Sequence, residues 1–210
     1  MKSVESITPK SIGWLEVKLD DKELDYLWKA VDEKGLNHRT RLAGNISESR
    51  LLEDKDNWFF DNVLQKLAIK YSDSFKNLAD SFPSTQRHPL SMQSMWVNYQ
   101  KEGEFNPTHH HGGVYSIVVW LKIPTHHSDQ RRLPFVRGSN EKNAVSNFTF
   151  LYPDMLGVIN GYYYDMEPEV EGTLLFFPSQ LQHQVYPFYN CKEDRITLSG
   201  NLGLDTSIIS

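Results

Sequence analysis

The sequence is short of cysteine, of long apolar runs and of positive charge, and each shortage removes a class of protein. Cys191 is the one cysteine among 210 residues, so no internal disulfide forms, and a lone thiol fits a reducing cytoplasm. No run approaches the about 18 apolar residues of a membrane-spanning helix, so no membrane association is expected. The opening MKSVESITPK lacks the apolar middle of a secretory signal. Basic residues number 22 against 27 acidic, a net charge of -5, so no nucleic-acid partner is expected. Internal repeats and low-complexity stretches are absent too. What remains is ordinary for a soluble globular chain, 39% hydrophobic and 23% charged, with a length that suits one domain or one domain with a helical annex. Two features stand out. Aromatic residues make up 12% and gather between Trp96 and Tyr189, and three of the eight histidines stand in a row at 109–111.

The first ninety residues read as a helical flank. In DDKELDYLWKAVDEKG the apolar positions Leu24, Leu27, Trp28 and Val31 repeat with helical spacing between an aspartate cap and Gly35. A second pattern, Phe60, Val63, Leu64, Leu67, Tyr71, Phe75 and Leu78, predicts a long helix over 56–79 with one break. Pro83 and Pro89 punctuate a linker. From Ser91 onward the period is two, and β-branched and aromatic residues dominate. Strands are predicted over 92–99, 114–121, 172–177, 183–188 and 194–202, with a short one near 12–19. Residues 125–170 show little periodicity and read as a long functional insertion in a β-rich core over 91–210. Helices followed by many short strands indicate an α+β protein, a helical flank (1–90) packed on a β-sandwich or barrel and not folding independently.

Three pieces carry the chemistry. In THHHGG an extended backbone puts His109 and His111 on one face and His110 on the other, with the two imidazoles about 7 Å apart at the backbone, close enough to share one metal ion. Imidazole suits iron, zinc, copper and nickel. In GTLLFFPSQLQHQVYPF an apolar strand ends at Pro178, and His183 begins the next strand, well placed as a distal ligand. In DRITLSGNL, Arg195, Thr197, Ser199 and Asn201 share one face, opposite Ile196, Leu198 and Leu202. An arginine facing into a barrel is costly unless it meets an anion. A carboxylate satisfies it with two parallel hydrogen bonds, and a hydroxyl two residues along adds a third. An internal salt bridge to Asp or Glu is the plainer alternative.

The order His-x-His, a His about seventy residues on, then Arg with Thr at plus two resembles the 2-oxoglutarate- and Fe(II)-dependent oxygenase superfamily. It is most similar to the prolyl-hydroxylase-like branch and to a group of oxygenases known from phage and marine bacterial genomes. Tyr99 and Gly103 precede His109 at that branch's spacing, and LAGNIS at 42–47 is similar to the phage group. The resemblance extends from about Trp96 to Asn201. It implies a double-stranded β-helix, the jelly roll of cupins, with iron on His109 and His183. It also implies that Arg195 and Thr197 bind the distal carboxylate of 2-oxoglutarate, with Tyr99 adding a hydrogen bond. The branch's carboxylate ligand is replaced here by His111. Either His111 is itself the third ligand, the preferred reading, or a carboxylate such as Asp165 completes the site, or water or a halide takes that position.

The implied reaction couples O₂-dependent decarboxylation of 2-oxoglutarate to C–H hydroxylation of an unidentified substrate, a peptidyl proline or a small molecule, in the host cytoplasm if the chain is phage-encoded. Trp96, Tyr115 and Phe176 are expected to dry the site. His126, His127, Arg131, Arg132, Arg137, Asn143 and Tyr162–Tyr164 are candidates to meet substrate. Two rival readings exist. One is a cupin-type dioxygenase or isomerase without 2-oxoglutarate, in which Gln180 departs from the expected glycine and Arg195 has no role. The other is a non-enzymatic jelly-roll binding module whose histidines hold zinc.

Overall fold

The helical pattern near residue 20 is realised from its cap inward. Asp20 accepts a hydrogen bond from the Glu23 amide while Glu23 accepts one from the Asp20 amide, a capping box that opens α1 (Asp21–Asp32). The computed structural model describes residues 4–7, 13–33, 35–38, 44–75, 77–81, 88–137 and 144–205; Leu42, Ala43, Pro83 and Asn143 lie outside these. The second helical pattern is broken near its start. The Asp54 carboxylate accepts from the amides of Phe59 and Phe60 at 2.9 and 2.8 Å, a π-helical turn covers Phe60–Leu64, and α2 runs over Gln65–Ser74. A 3-10 turn, Leu78–Ser81, follows.

The strands are β1 (Leu15–Lys18), β2 (Glu48–Leu52), β3 (Leu90–Gln100), β4 (Asn106–His109), β5 (Tyr115–Lys122), β6 (Asn147–Pro153), β7 (Ile159–Asp165), β8 (Thr173–Pro178), β9 (Gln182–Val185) and β10 (Arg195–Leu204). Two short helices, α3 (His127–Gln130) and α4 (Pro134–Arg137), precede β6. The strands form an antiparallel six-stranded sheet, β1-β8-β5-β10-β3-β2, and an antiparallel four-stranded sheet, β4-β9-β6-β7. The larger sheet is buried on both faces. Tyr115, Ile117, Val119 and Leu121 of β5 pack with Leu27, Val31, Phe59 and Leu64 of the helical layer, while Val118 and Trp120 pack with Phe148 and Phe150 of β6. A strand covered on both sides reads as an unbroken apolar run, as YSIVVWLK and TLLFFP do. Helical layer, six-stranded sheet and four-stranded sheet together make the expected α+β jelly roll with an N-terminal helical flank.

Two stretches differ from their sequence reading. The residues before 90 are not purely helical, because β1 and β2 supply both edges of the larger sheet. The stretch over 125–170 is not a loop: β6 and β7 build half of the smaller sheet. Its period is hidden because Asn147 and Thr149 are buried alongside Phe148 and Phe150 in β6, while β7 is an edge strand with exposed aromatics. Among the described residues no helix is long and apolar enough to cross a membrane.

Candidate active site

The smaller sheet brings two of the histidines together by register: His109 of β4 lies directly opposite His183 of β9, with ring centroids 4.3 Å apart. His111 lies just past β4 and is pinned by its backbone to the turn between β8 and β9. Its amide donates to the Ser179 carbonyl at 2.8 Å, and its carbonyl accepts from the Gln180 side chain at 3.1 Å. The glycine pair that follows turns the chain into β5. Gly113 has φ +94°, and a Cβ there would sit 2.6 Å from the Leu202 carbonyl oxygen, so both conformation and space call for glycine. The result is a cluster in which one ligand atom from each of His109, His111 and His183 lies within 4.8 Å of the others.

The donor set fits a metal. His109 Nδ1–H donates to the Pro107 carbonyl at 2.7 Å and His183 Nδ1–H to the Leu181 carbonyl at 2.9 Å. A carbonyl only accepts, so in both rings Nε2 keeps the lone pair that a metal needs. Burial, more than any other cause, lowers all three values, with His111 pushed down to about 4 and His183, only 4% exposed, well below its ordinary range. The imidazoles are therefore neutral at pH 7. Asp165 does not join them. Its carboxylate lies 3.3 Å from His127 Nε2, outside the cavity that the three histidines line.

That cavity, about 930 Å³ including its open mouth, runs between the two sheets. Trp96, Phe148 and Phe177 give it apolar walls, and Asn98, Gln100, Asn106, Thr197 and Ser199 give it polar ones. Among the described residues no Asp, Glu, Lys or Arg side chain lines it. One hydrogen bond behind its wall lies Arg195, which is 1% exposed and has no acidic partner among the described residues. Its Nη2 donates to Ser146 Oγ at 2.7 Å, and its Nη1 donates to Gln100 Oε1 at 3.3 Å and to the Tyr186 carbonyl at 3.4 Å. Among the described residues its Nε has no acceptor, and the guanidinium lies 4.8 Å from the Phe188 ring centroid. Burial pushes Arg195 down to about 9, so it stays charged at neutral pH.

Several expected residues lie elsewhere. Tyr99 packs with the helix-side cluster under the Arg50 guanidinium, on the opposite face of β3 from Trp96, Asn98 and Gln100; strand alternation turns it away from the cavity. Tyr115 and Phe176 face the helical layer for the same reason. His110 is exposed and lines the cavity without joining the histidine cluster. Among the described residues of the stretch over 125–170 only Phe148 lines the cavity, whereas Gly44, Ile46 and Ser49 from the N-terminal half do. Sequence reasoning missed Ser146, Gln100 and Asn98. Period-two counting from Trp96 points to the last two; nothing local marks Ser146, which meets Arg195 only through the fold.

The family described as "Putative 2OG-Fe(II) oxygenase" matches residues 94–201. A search of curated protein sequences finds no match. Among solved structures, the chain is similar to a Pseudomonas putida prolyl-4-hydroxylase, with 15% identity and a TM-score of 0.54 over 92% of this chain and 94% of that one. It is also similar to a 2OG-Fe(II) oxygenase family oxidoreductase from Burkholderia pseudomallei, with 12% identity and a TM-score of 0.52 over 91% and 84% of the two chains. A viral collagen prolyl hydroxylase from Paramecium Bursaria Chlorella virus-1, in its 2OG complex, gives 15% identity and a TM-score of 0.50 over 90% and 94%. At these identities the likeness is one of fold.

Proposed function

Since the chain belongs to this 2OG-Fe(II) oxygenase family, its cofactor being Fe(II) and its cosubstrates 2-oxoglutarate and O₂, we propose that His109, His111 and His183 hold the iron while Arg195, with Thr197, grips the far carboxylate of 2-oxoglutarate. The observation that carries this is a single cavity with three neutral imidazoles on its wall and a buried, unneutralised guanidinium one hydrogen bond behind it. Burying an arginine without an acid is costly unless an anion completes the site. Three neutral ligands also leave the metal's charge uncompensated by the protein, which favours an anionic cosubstrate. The cupin and zinc-module readings leave Arg195 without a role.

When bound, iron supplies the oxidising chemistry: 2-oxoglutarate and O₂ give succinate, CO₂ and one oxygen atom inserted into a substrate C–H bond. The protein's own part is positioning and exclusion of water. Carbonyls 107 and 181 hold two imidazoles in the ligating tautomer, the 179–180 turn holds the third, and Trp96, Phe148 and Phe177 keep the wall dry. The family acts on small molecules or peptides. A peptidyl proline is the proposed candidate, by analogy with the two prolyl hydroxylases of like fold, and a small molecule is the alternative. The lone Cys191 supports a reducing, cytoplasmic setting. The test is succinate formation from 2-oxoglutarate with Fe(II) in air. Wild type is expected to release succinate and H183A none; equal release by both, or none by either, rejects the proposal.

A further inference from the structure

The geometry points to Ser146 and Gln100 as positioning residues that hold the Arg195 guanidinium without neutralising it, and so set the affinity for a dicarboxylate cosubstrate over a 2-oxo acid lacking the far carboxylate. This rests on Arg195 being the anchor for 2-oxoglutarate.

Ser146 is fully buried with φ +44°, a left-handed conformation that a serine adopts at a cost and that glycine, asparagine or aspartate meets more readily. Its backbone is clamped from three sides. The amide donates to the Pro187 carbonyl at 2.8 Å, and the carbonyl accepts from the Met166 amide at 3.1 Å and from His127 Nδ1 at 3.0 Å. The clamp aims the hydroxyl at Arg195 Nη2, 2.7 Å away. Glycine at this position relieves the backbone but deletes the acceptor. Aspartate keeps an acceptor but adds a negative charge that competes with an incoming carboxylate. Serine is the small residue that supplies a neutral acceptor here.

Gln100 obeys the same logic. Its Oε1 faces Nη1 at 3.3 Å, where the isosteric glutamate forms an ion pair. Both contacts around the guanidinium are thus kept uncharged. Nη2 is fixed by the short bond, Nη1 has only two long contacts, and Nε is unspent. The Nε–H remains for a carboxylate.

The experiment is anaerobic calorimetric titration of the Fe(II) protein with 2-oxoglutarate, and with 2-oxobutyrate as the monoacid, for wild type, S146G, Q100E and R195M. Iron affinity is measured in parallel by chelator competition. S146G is expected to keep its fold and its iron affinity and to weaken 2-oxoglutarate about tenfold, leaving 2-oxobutyrate unchanged. Q100E is expected to weaken 2-oxoglutarate about a hundredfold and to leave 2-oxobutyrate unchanged. Wild-type affinity in both variants, with R195M impaired, overturns the positioning role and leaves the Arg195 reading standing. Wild-type affinity in R195M overturns that reading itself. Parallel loss of both 2-oxo acids in S146G also overturns the proposal, because it marks a general structural role. If S146G does not fold, Q100E decides alone.

Discussion

Replacing Arg195 by methionine separates what this side chain does for binding from what it does for the fold. Methionine approximates its volume and carries no charge. The guanidinium is 1% exposed and, among the described residues, bonded only to neutral acceptors, with one short bond of 2.7 Å and two near the limit at 3.3 and 3.4 Å. The lost bonds are worth about 1.5–3 kcal/mol. The burial of an ion without a counter-ion costs several kcal/mol, which offsets those bonds; even a whole buried ion pair is often replaced by apolar residues without loss of stability. R195M is therefore expected to be at least as stable as wild type, with a rise of about 2–4 °C for each kcal/mol gained. Its affinity for 2-oxoglutarate moves the other way. Removing one partner of a buried charge pair costs about 2–5 kcal/mol, so the dissociation constant is expected to rise about 30- to 4,000-fold. Scanning calorimetry without ligand and anaerobic titration with 2-oxoglutarate measure the two effects. A variant that melts well below wild type yet binds 2-oxoglutarate unchanged refutes the reasoning, because Arg195 then serves the fold alone.

Further outcomes follow from the same coordinates. H110A is expected to leave Fe(II) affinity unchanged, whereas H111A lowers it by more than the roughly 10–100-fold typical of losing an outer partner, measured by chelator competition; the reverse pattern shows that His110 is the ligand. The folded-state values of His109, His111 and His183 lie below the ordinary 6.5, so the unfolded chain takes up protons first as pH falls. Metal-free stability is then full above about pH 6.5 and declines toward the folded values, by about 1.4 kcal/mol per pH unit for each histidine. Thermal melts at pH 7.5 and 5.5 check this, and a midpoint that rises on acidification contradicts it. G113A forces a Cβ to 2.6 Å from the Leu202 carbonyl at φ +94°. It is expected to cost about 1–3 kcal/mol in urea unfolding and to weaken Fe(II) binding by displacing His111.

The sequence was informative where one side chain pattern met one environment. α1 shows its cap and its apolar face, and DRITLSGNL alternates because Arg195, Thr197 and Ser199 lie on one face of β10 with Leu198 on the other. The histidine cluster was legible because His109 and His111 are close in the chain and His183 begins a strand. Where both faces are buried the period vanishes, so nothing in β8 told that Phe177, not Phe176, lines the cavity. Alternation from Trp96 turns Tyr99 away from the cavity, against the role that the resemblance implies for it. Ser146, just before β6, meets Arg195 at the start of β10, 49 residues away in the chain, and no local pattern encodes that meeting.

Anomalous diffraction at the iron edge from crystals grown anaerobically with Fe(II) and 2-oxoglutarate gives the most direct test. The expected result is one peak within bonding reach of a ring nitrogen of His109, His111 and His183 together, with the distal carboxylate of 2-oxoglutarate on Arg195. A peak at two of these rings or none, or a carboxylate seated away from that guanidinium, contradicts the account.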